Sequence, residues 1–571
     1  MARFFRAAIF MAFFLYAGNA FAAGGTCPSG ANYPNSTGQL VTLAGLGVTN
    51  CYFIAANGSD SSSGSTESAP WAHLPGMSTC ASSCAAVTPA AGMGFIFRGG
   101  DTWTGANFGI NWQWGGTSGS PIYIGVDPSW YAGSAWARPI WTCGGATCTG
   151  ANNGYYIQLA TNMSHNILDN IELTGLFETA TNHPNYVNLY GTYNMAENLY
   201  AHGWGTNITP PNASSSQVIA TGSGEPATGT TVRYSVADGS DTSQNMMYLT
   251  HVGVPIAYGN VMRYLQTGLD GCGDEWHDNL FEYMVPGIVT VHQDAYQHTG
   301  SCDGSTYLIY NNVLRHMTAS SLFTGAGHFW FNGLGDCGAI GTPLTNCTGY
   351  AFNNVMYDVA PGNQVNMGGH YGVNYGTIYF FNNTIQCGSD SNPGDCDLGD
   401  NGNAQNRVAS NGTMGIYSIN NHWIAADQTS VFCCSGPAGS GSRGSCYSFT
   451  CSETAPLYQT VATASAQAYD ETGNYAFQPT SGSGLTVGAG TNESSLCNAI
   501  SGIDSRAGSA CMNATSYACA YNATNHTVSC PANTMVARPP SGAWDIGAYQ
   551  FSSSIQASVP GAPKGLTASV Q

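Results

Sequence analysis

The chain has 571 residues, 43% of them apolar and only 8% charged, and its formal net charge is −19 against 11 arginines and one lysine, Lys564. That balance excludes a nucleic-acid backbone or an anionic membrane as partner, and the apolar fraction excludes a largely disordered chain. With 74 glycines among so few charges, the composition suits a turn-rich β structure with uncharged edges.

In chain order, residues 1–22 read as a signal peptide. Arg3 and Arg6 give the positive start, Ala7 to Ala17 an apolar stretch too short to span a membrane comfortably, and Ala20-Phe21-Ala22 the cleavage signal. All 20 cysteines follow that point, as expected of an exported chain with local disulfides. The close pairs are Cys80/Cys84, Cys143/Cys148, Cys337/Cys347, Cys387/Cys396 and Cys519/Cys530, with Cys27/Cys51 and Cys272/Cys302 as longer clips. Spacing does not fix the connectivity.

Residues 23–150 supply opening strands: Tyr52-Phe53-Ile54-Ala55-Ala56 into a Gly/Ser turn, Gly94-Phe95-Ile96-Phe97-Arg98, and Pro121-Ile122-Tyr123-Ile124. Residues 151–430 repeat an apolar–Asn–Asn–apolar phrase, as Tyr310-Asn311-Asn312-Val313, Phe352-Asn353-Asn354-Val355, Phe381-Asn382-Asn383-Thr384 and Ile419-Asn420-Asn421-His422. Looser copies stand at Asn170, Asn198, Asn260 and Asn279. Asn is a poor strand residue, so its recurrence predicts equivalent bends in stacked coils, where each side chain bonds its neighbours above and below. The uneven spacing predicts insertions of varying length at one bend. The fold class expected is all-β, a parallel β-helix. Residues 431–552 lose the periodicity and should be C-terminal coils and a cap over the last coil; 553–571 read as a linker-like tail.

The chain resembles the secreted bacterial right-handed parallel β-helix proteins of the pectate-lyase-like superfamily. The resemblance rests on the Asn phrases, on Phe53 to Asp60 with Pro70-Trp71, on Thr117-Ser118-Gly119-Ser120-Pro121-Ile122-Tyr123-Ile124, and on the closing Trp544-Asp545-Ile546-Gly547-Ala548-Tyr549. It implies the right-handed, single-stranded solenoid and says little of chemistry, because this architecture hosts lyases, hydrolases, esterases and adhesins. The familiar catalytic signatures of pectate lyases and polygalacturonases are not evident, so no family site is carried over.

Chemistry is sought in the densest polar stretch, Asp270 to Asp303. It holds Asp270, Asp274, Glu275, Trp276 and His277, then His292-Gln293-Asp294-Ala295-Tyr296-Gln297-His298 after the apolar run Gly287 to Val291. Alternation puts His292, Asp294 and Tyr296 on one face, expected to be the solvent face because a β-helix core must be apolar. Hydrolysis would use Asp294 with Asp270, Asp274 or Glu275 as its second carboxyl. β-Elimination would use His292 or His298 as base and Arg315 or Arg263 to neutralise a uronate. Trp276, Tyr296, His316, His328, Phe329 and Trp330 are the candidate sugar contacts. The competing expectation is that these polar groups are turn formers and mutual hydrogen-bond partners.

Asp395, Asp397 and Asp400 crowd one loop and make a possible Ca²⁺ site without the EF-hand spacing; a solvated turn is the alternative. The expectation is therefore an exported, carbohydrate-active β-helix, taken as a monomer, that cleaves a polysaccharide in a groove on its outer face, by lyase or hydrolase chemistry left open. The other class consistent with the sequence is a non-catalytic glycan-binding or adhesive surface protein.

Overall fold

The computed structural model describes residues 24–144, 154–179, 182–206, 216–221, 228–241, 248–251, 256–265, 267–270, 275–284, 294–297, 306–317, 328–332, 338–339, 342–343, 348–359, 363–365, 377–391, 415–425, 450–471 and 474–553. Three long sheets of 13, 12 and nine strands run its length, and every pairing within them is parallel. The chain visits them in turn. Ile256–Tyr258 lies in the first sheet, Val261–Arg263 in the second and Thr267–Asp270 in the third; Glu275–His277 then pairs back onto Ile256–Tyr258. One strand per sheet per turn is a parallel β-helix, as the Asn phrases predicted. Apolar residues from all three sheets, among them Trp141, Leu189, Leu269, Trp276, Leu314 and Trp423, fill the interior at or near zero exposure.

The corner between the first and second sheets explains the asparagine doublets. Its first residue is left-handed: Asn170, Asn198, Tyr234, Gly259, Asp278, Asn311, Asn353, Asn382 and Asn420 all have φ between 52° and 67°. Asn, Asp and Gly tolerate that conformation best. The second residue builds a ladder. From Asn260 through Asn279, Asn312, Asn354 and Asn383 to Asn421, each Nδ2 donates to the next Oδ1 at 3.0–3.1 Å. Each backbone N–H donates to that same oxygen at 2.9–3.1 Å. The other Nδ2 hydrogen goes back to a carbonyl of the preceding coil, such as Val232 or Ile309. Upstream the ladder stops, because Ile171, Leu199 and Ser235 hold the second position. The early asparagines Asn170 and Asn198 therefore belong to the left-handed position and are out of phase with Asn279.

The last part of the chain does not simply close the final coil. After the last paired strands, Thr450–Thr454 and Leu457–Gln459, residues 461–551 fold back along the outer faces of the first two sheets as a strap. Arg538 bonds Asn353, the Ala518 N–H bonds the Asn311 carbonyl, Arg506 reaches Glu275 at 2.8 Å, and Arg138 donates to the carbonyls of Asn525 and His526. At five of the coils the residue after the corner is apolar and faces outward: Val236, Val261, Leu280, Val313 and Val355 join Tyr517, Ala518 and Tyr549 of the strap in one buried cluster. A sheet buried on both faces must be apolar on both.

Disulfides join Cys27–Cys51, Cys80–Cys84 and Cys519–Cys530, as spacing suggested, and also Cys497–Cys511 within the strap. Such bridges are in keeping with an oxidising compartment. Cys143 and Cys387 are also disulfide-bonded, their partners lying outside the described residues, as do the Cys272/Cys302 and Cys337/Cys347 pairs and residues 1–22. Among the described residues, no helix is long and apolar enough to cross a membrane.

His422 gives the fold a pH dependence. It is fully buried, its Nε2 lies 2.7 Å from Gln459 Oε1, and burial pushes its imidazole down to about 4 against the pull of that hydrogen bond. The unfolded chain binds the proton near pH 6.5 and the folded chain only near 4, so the stabilising contribution is whole above about pH 6.5 and is lost as pH falls toward 4. The full effect is on the order of 3 kcal/mol. Denaturant midpoints measured from pH 7 to 4 should fall more steeply for the wild type than for His422→Leu.

Candidate functional site

The strap and the N-terminal segment occupy the outside of the first two sheets. Among the described residues, no hydrogen bond from the strap reaches the third sheet. Register defines two of its columns. Ile157, Val187, Ile219, Thr250, Leu269, Tyr296 and Phe331 stack in one; its described side chains Ile157, Val187, Ile219, Leu269 and Tyr296 are at most 1% exposed and belong to the interior cluster. The column next to it in register is polar almost throughout: Asn111, Gln158, Asn188, Ala220, His251, Asp270, Gln297 and Asn332. Asn111 is exposed and Gln158 half-buried, and the Asn188 amide donates to Gln158 Oε1 at 3.0 Å. Pairing of Thr250 with Leu269 sets His251 one coil, ~4.8 Å, from Asp270.

Several expected site residues take other places. Tyr296 is 1% exposed and lies edge-on to Trp276, itself fully buried, at 4.1 Å between ring centroids. Neither ring is a sugar platform. Tyr296, expected on an outward row, lies inward in the interior cluster. Asp294 pairs in register with Thr267, three positions along the third sheet from the Asp270 column; upstream in the same two columns, the Asn185 amide donates to Asn188 Oδ1 at 2.9 Å. Glu275 is spent on Arg506 and on the Tyr310 hydroxyl at 2.6 Å.

Arg315 stands on the second sheet, not the third. Asp238, Arg263, Glu282 and Arg315 follow one another in register, joined by ion pairs of 2.9–3.1 Å. Tyr357 extends the column, and the strap's Tyr521 and Tyr517 bond its two ends, Asp238 and Tyr357. Both arginines are thus paired with carboxylates on the second sheet. His316 is partly exposed at a corner, its Nδ1 2.6 Å from Asp358 and its ring stacked on Tyr283 at 5.1 Å. His328 and Trp330 lie in the third-sheet strand His328–Asn332. His292, His298, Asp274, Asp395, Asp397 and Asp400 lie outside the described residues. Among the described residues, no group of three or more His, Cys, Asp or Glu side chains is placed to hold a metal.

Two constellations escaped the sequence reading. One is His251 in the third-sheet column, whose signal was the alternation in Tyr248-Leu249-Thr250-His251. The other is His202, with Nδ1 2.7 Å from Asp241 and Nε2 3.1 Å from Glu172. Burial works to lower its pKa, but those two carboxylates outweigh burial and hold the imidazole above its usual value. Both ring nitrogens are occupied, and Tyr200 stacks on the ring at 4.3 Å, so this group fastens the corner and has no nitrogen left for a substrate proton.

The chain is thus a parallel β-helix whose third sheet carries a polar column in register. No protein-family model and no curated protein matches it. Among solved structures it is similar to pectate lyase Pel9A (16% identity, TM-score 0.42, covering 88% of this chain and 96% of that one). A rhamnogalacturonan lyase (14%, TM-score 0.35, covering 70% and 86%) and the GH136 lacto-N-biosidase of Eubacterium ramulus (10%, TM-score 0.37, covering 72% and 68%) are also similar. At these identities no side chain's role passes from them to this chain.

Proposed function

We propose that this is an exported carbohydrate-active protein that holds a polysaccharide along the outer face of the third sheet and cleaves it beside Asp270. The observation that carries the reading is the register. It sets His251, Asp270, Gln297 and Asn332 on consecutive coils of one column, flanked upstream by Asn188, Gln158 and Asn111. Amides every ~4.8 Å offer paired donors and acceptors to a chain of sugar hydroxyls. Asp270 and His251 supply the two proton-handling groups that glycosidic cleavage needs, a task worth about 10²–10⁴-fold for each positioned group.

Incubation with a broad glycan panel, following reducing ends and unsaturated products together, separates hydrolysis from elimination. Asp270→Asn should lower cleavage by about 10²-fold or more at unchanged melting temperature. Undiminished cleavage by Asp270→Asn, or glycan binding by the wild type with no product of either kind, would discard this reading.

A further inference from the structure

The outer face of the first sheet carries a second regular surface along the edge of the strap, where Leu308 and Tyr350 are buried in the strap's apolar cluster and Tyr379 packs against it. In its strands Thr306–Tyr310, Thr348–Phe352, Thr377–Phe381, Gly415–Ile419 and Thr450–Thr454, register aligns three columns that alternate with interior positions. The column nearest the Asn corner, with Tyr310, Phe352 and Phe381, is covered by the strap helices Ser494–Ser501 and Ser505–Cys511. Two residues back stand Leu308, Tyr350, Tyr379, Tyr417 and Ser452. Two further back stand Thr306, Thr348, Thr377, Gly415 and Thr450.

The tyrosine rings form a ladder, with Tyr350 to Tyr379 at 5.3 Å and 9°, and Tyr379 to Tyr417 at 5.0 Å and 15°. Tyr379, Tyr417, Ser452 and the threonines 306, 348 and 377 are all partly exposed. Among the described residues, no hydrogen bond of the Tyr350, Tyr379 or Tyr417 hydroxyl occurs. Burial raises the pKa of Tyr350 and Tyr379, and the next tyrosine of the ladder adds to the rise, so these hydroxyls stay neutral donors at any ordinary pH. The two columns contain no charged residue, in a chain of net charge −19.

We propose that this strip is a second binding site, separate from the third-sheet column, for a neutral polysaccharide lying along the helix axis. Hydroxyl tips repeat at the coil spacing of ~4.8 Å, so a polymer of similar sugar units can meet equivalent donors on successive coils. Aromatic bodies with polar tips suit a partner that is apolar on its ring faces and wet at its edges. The absence of charge fits a neutral glycan, whereas a polyanion would meet a strongly negative protein with no local cation to offset it.

The test is retention of the full-length protein on insoluble cellulose, xylan, mannan and starch, and its mobility in gels containing soluble neutral glycans or pectate. The wild type and Asp270→Asn should bind a neutral polymer alike, since Asp270 lies on another sheet. Tyr379→Phe combined with Tyr417→Phe keeps the ring stack and removes only the hydroxyls; it should weaken binding about tenfold at an unchanged melting temperature while leaving cleavage of short soluble oligosaccharides intact. Equal binding by wild type and double variant, retention only on pectate, or no retention of the wild type on any neutral polymer would each overturn the proposal. Loss of binding in Asp270→Asn alone would assign all glycan contact to the third sheet and overturn it as well.

Discussion

Replacing Asn354 by alanine should destabilise the protein by about 4 kcal/mol, whereas replacing Asn311 by glycine should cost under about 1 kcal/mol. The two residues belong to adjacent doublets that look interchangeable in the sequence. Asn354 is fully buried. Its Oδ1 accepts from the backbone N–H and the Nδ2 of Asn312, and its Nδ2 donates to Ile309 O and Asn383 Oδ1, all at 3.0–3.1 Å. Alanine leaves the Asn312 N–H and the Ile309 carbonyl buried without their partner, and each such orphan costs roughly 1–3 kcal/mol. Asn311 has φ 58° and an Oδ1 with no partner; its task is the left-handed turn, which glycine performs without strain. Urea unfolding of both variants measures the contrast. Equal losses would mean that the ladder adds nothing beyond the turn.

This distinction marks how far the sequence could be read. The doublets announced stacked coils, because two such asparagines beside apolar residues have no place in an ordinary strand. They did not disclose their phase. Asn satisfies both corner positions, so Asn170 and Asn198 pass for Asn279 until the left-handed residue is located; Tyr234, Gly259 and Asp278 fill that position without resembling one another. The strap was hidden for a different reason. Its contacts are aperiodic, yet the coils carried its imprint in pairs such as Val313-Leu314, where one residue packs inward and the other outward beneath Tyr517 and Tyr549. An apolar residue on both faces of a strand requires a cover on each.

The site was less legible than the fold. Alternation is a sound rule only when its phase is anchored, and the phase of the stretch around Asp294 was taken from the apolar run at 287–291. Tyr296, 1% exposed in the interior cluster, does not follow that phase. Arg315 misled because sequence proximity to the polar stretch is not proximity in a solenoid. Residues 21 apart, such as Asp294 and Arg315, stand on different sheets, while His251 and Asp270, 19 apart, stand side by side on consecutive coils. In this architecture the useful distance is the coil, and its length here is uneven.

Arg233→Met should lower stability by about 3–5 kcal/mol at neutral pH, the cost of leaving a buried charge without its partner. Arg233 is 1% exposed and holds Glu197 at 2.6–2.7 Å, while its remaining N–H groups donate to the Tyr258 hydroxyl and to the carbonyls of Pro34 and Asn35. One side chain thus neutralises a buried carboxylate and anchors the N-terminal segment against the first sheet. Burial lifts the Glu197 carboxyl, the guanidinium draws it back, and Asp169 nearby adds to the lift. Without Arg233 only the two raising influences remain, and Glu197 will take up a proton. The sign follows. A carboxyl whose folded pKa lies above its unfolded value of about 4.5 contributes stability below that pH and loses it as pH rises. With Arg233 in place burial already holds that carboxyl at about 8, so both proteins lose the contribution alike up to there; the deficit of Arg233→Met relative to wild type should be level from pH 4.5 to about 8 and grow above it. Glu197→Gln in the same background should remove that growth, because no carboxyl remains to be charged. Denaturant midpoints for the three proteins through that range and above it decide it: a deficit independent of pH in Arg233→Met would show that the loss comes from undocking residues 33–35 and not from the stranded carboxylate.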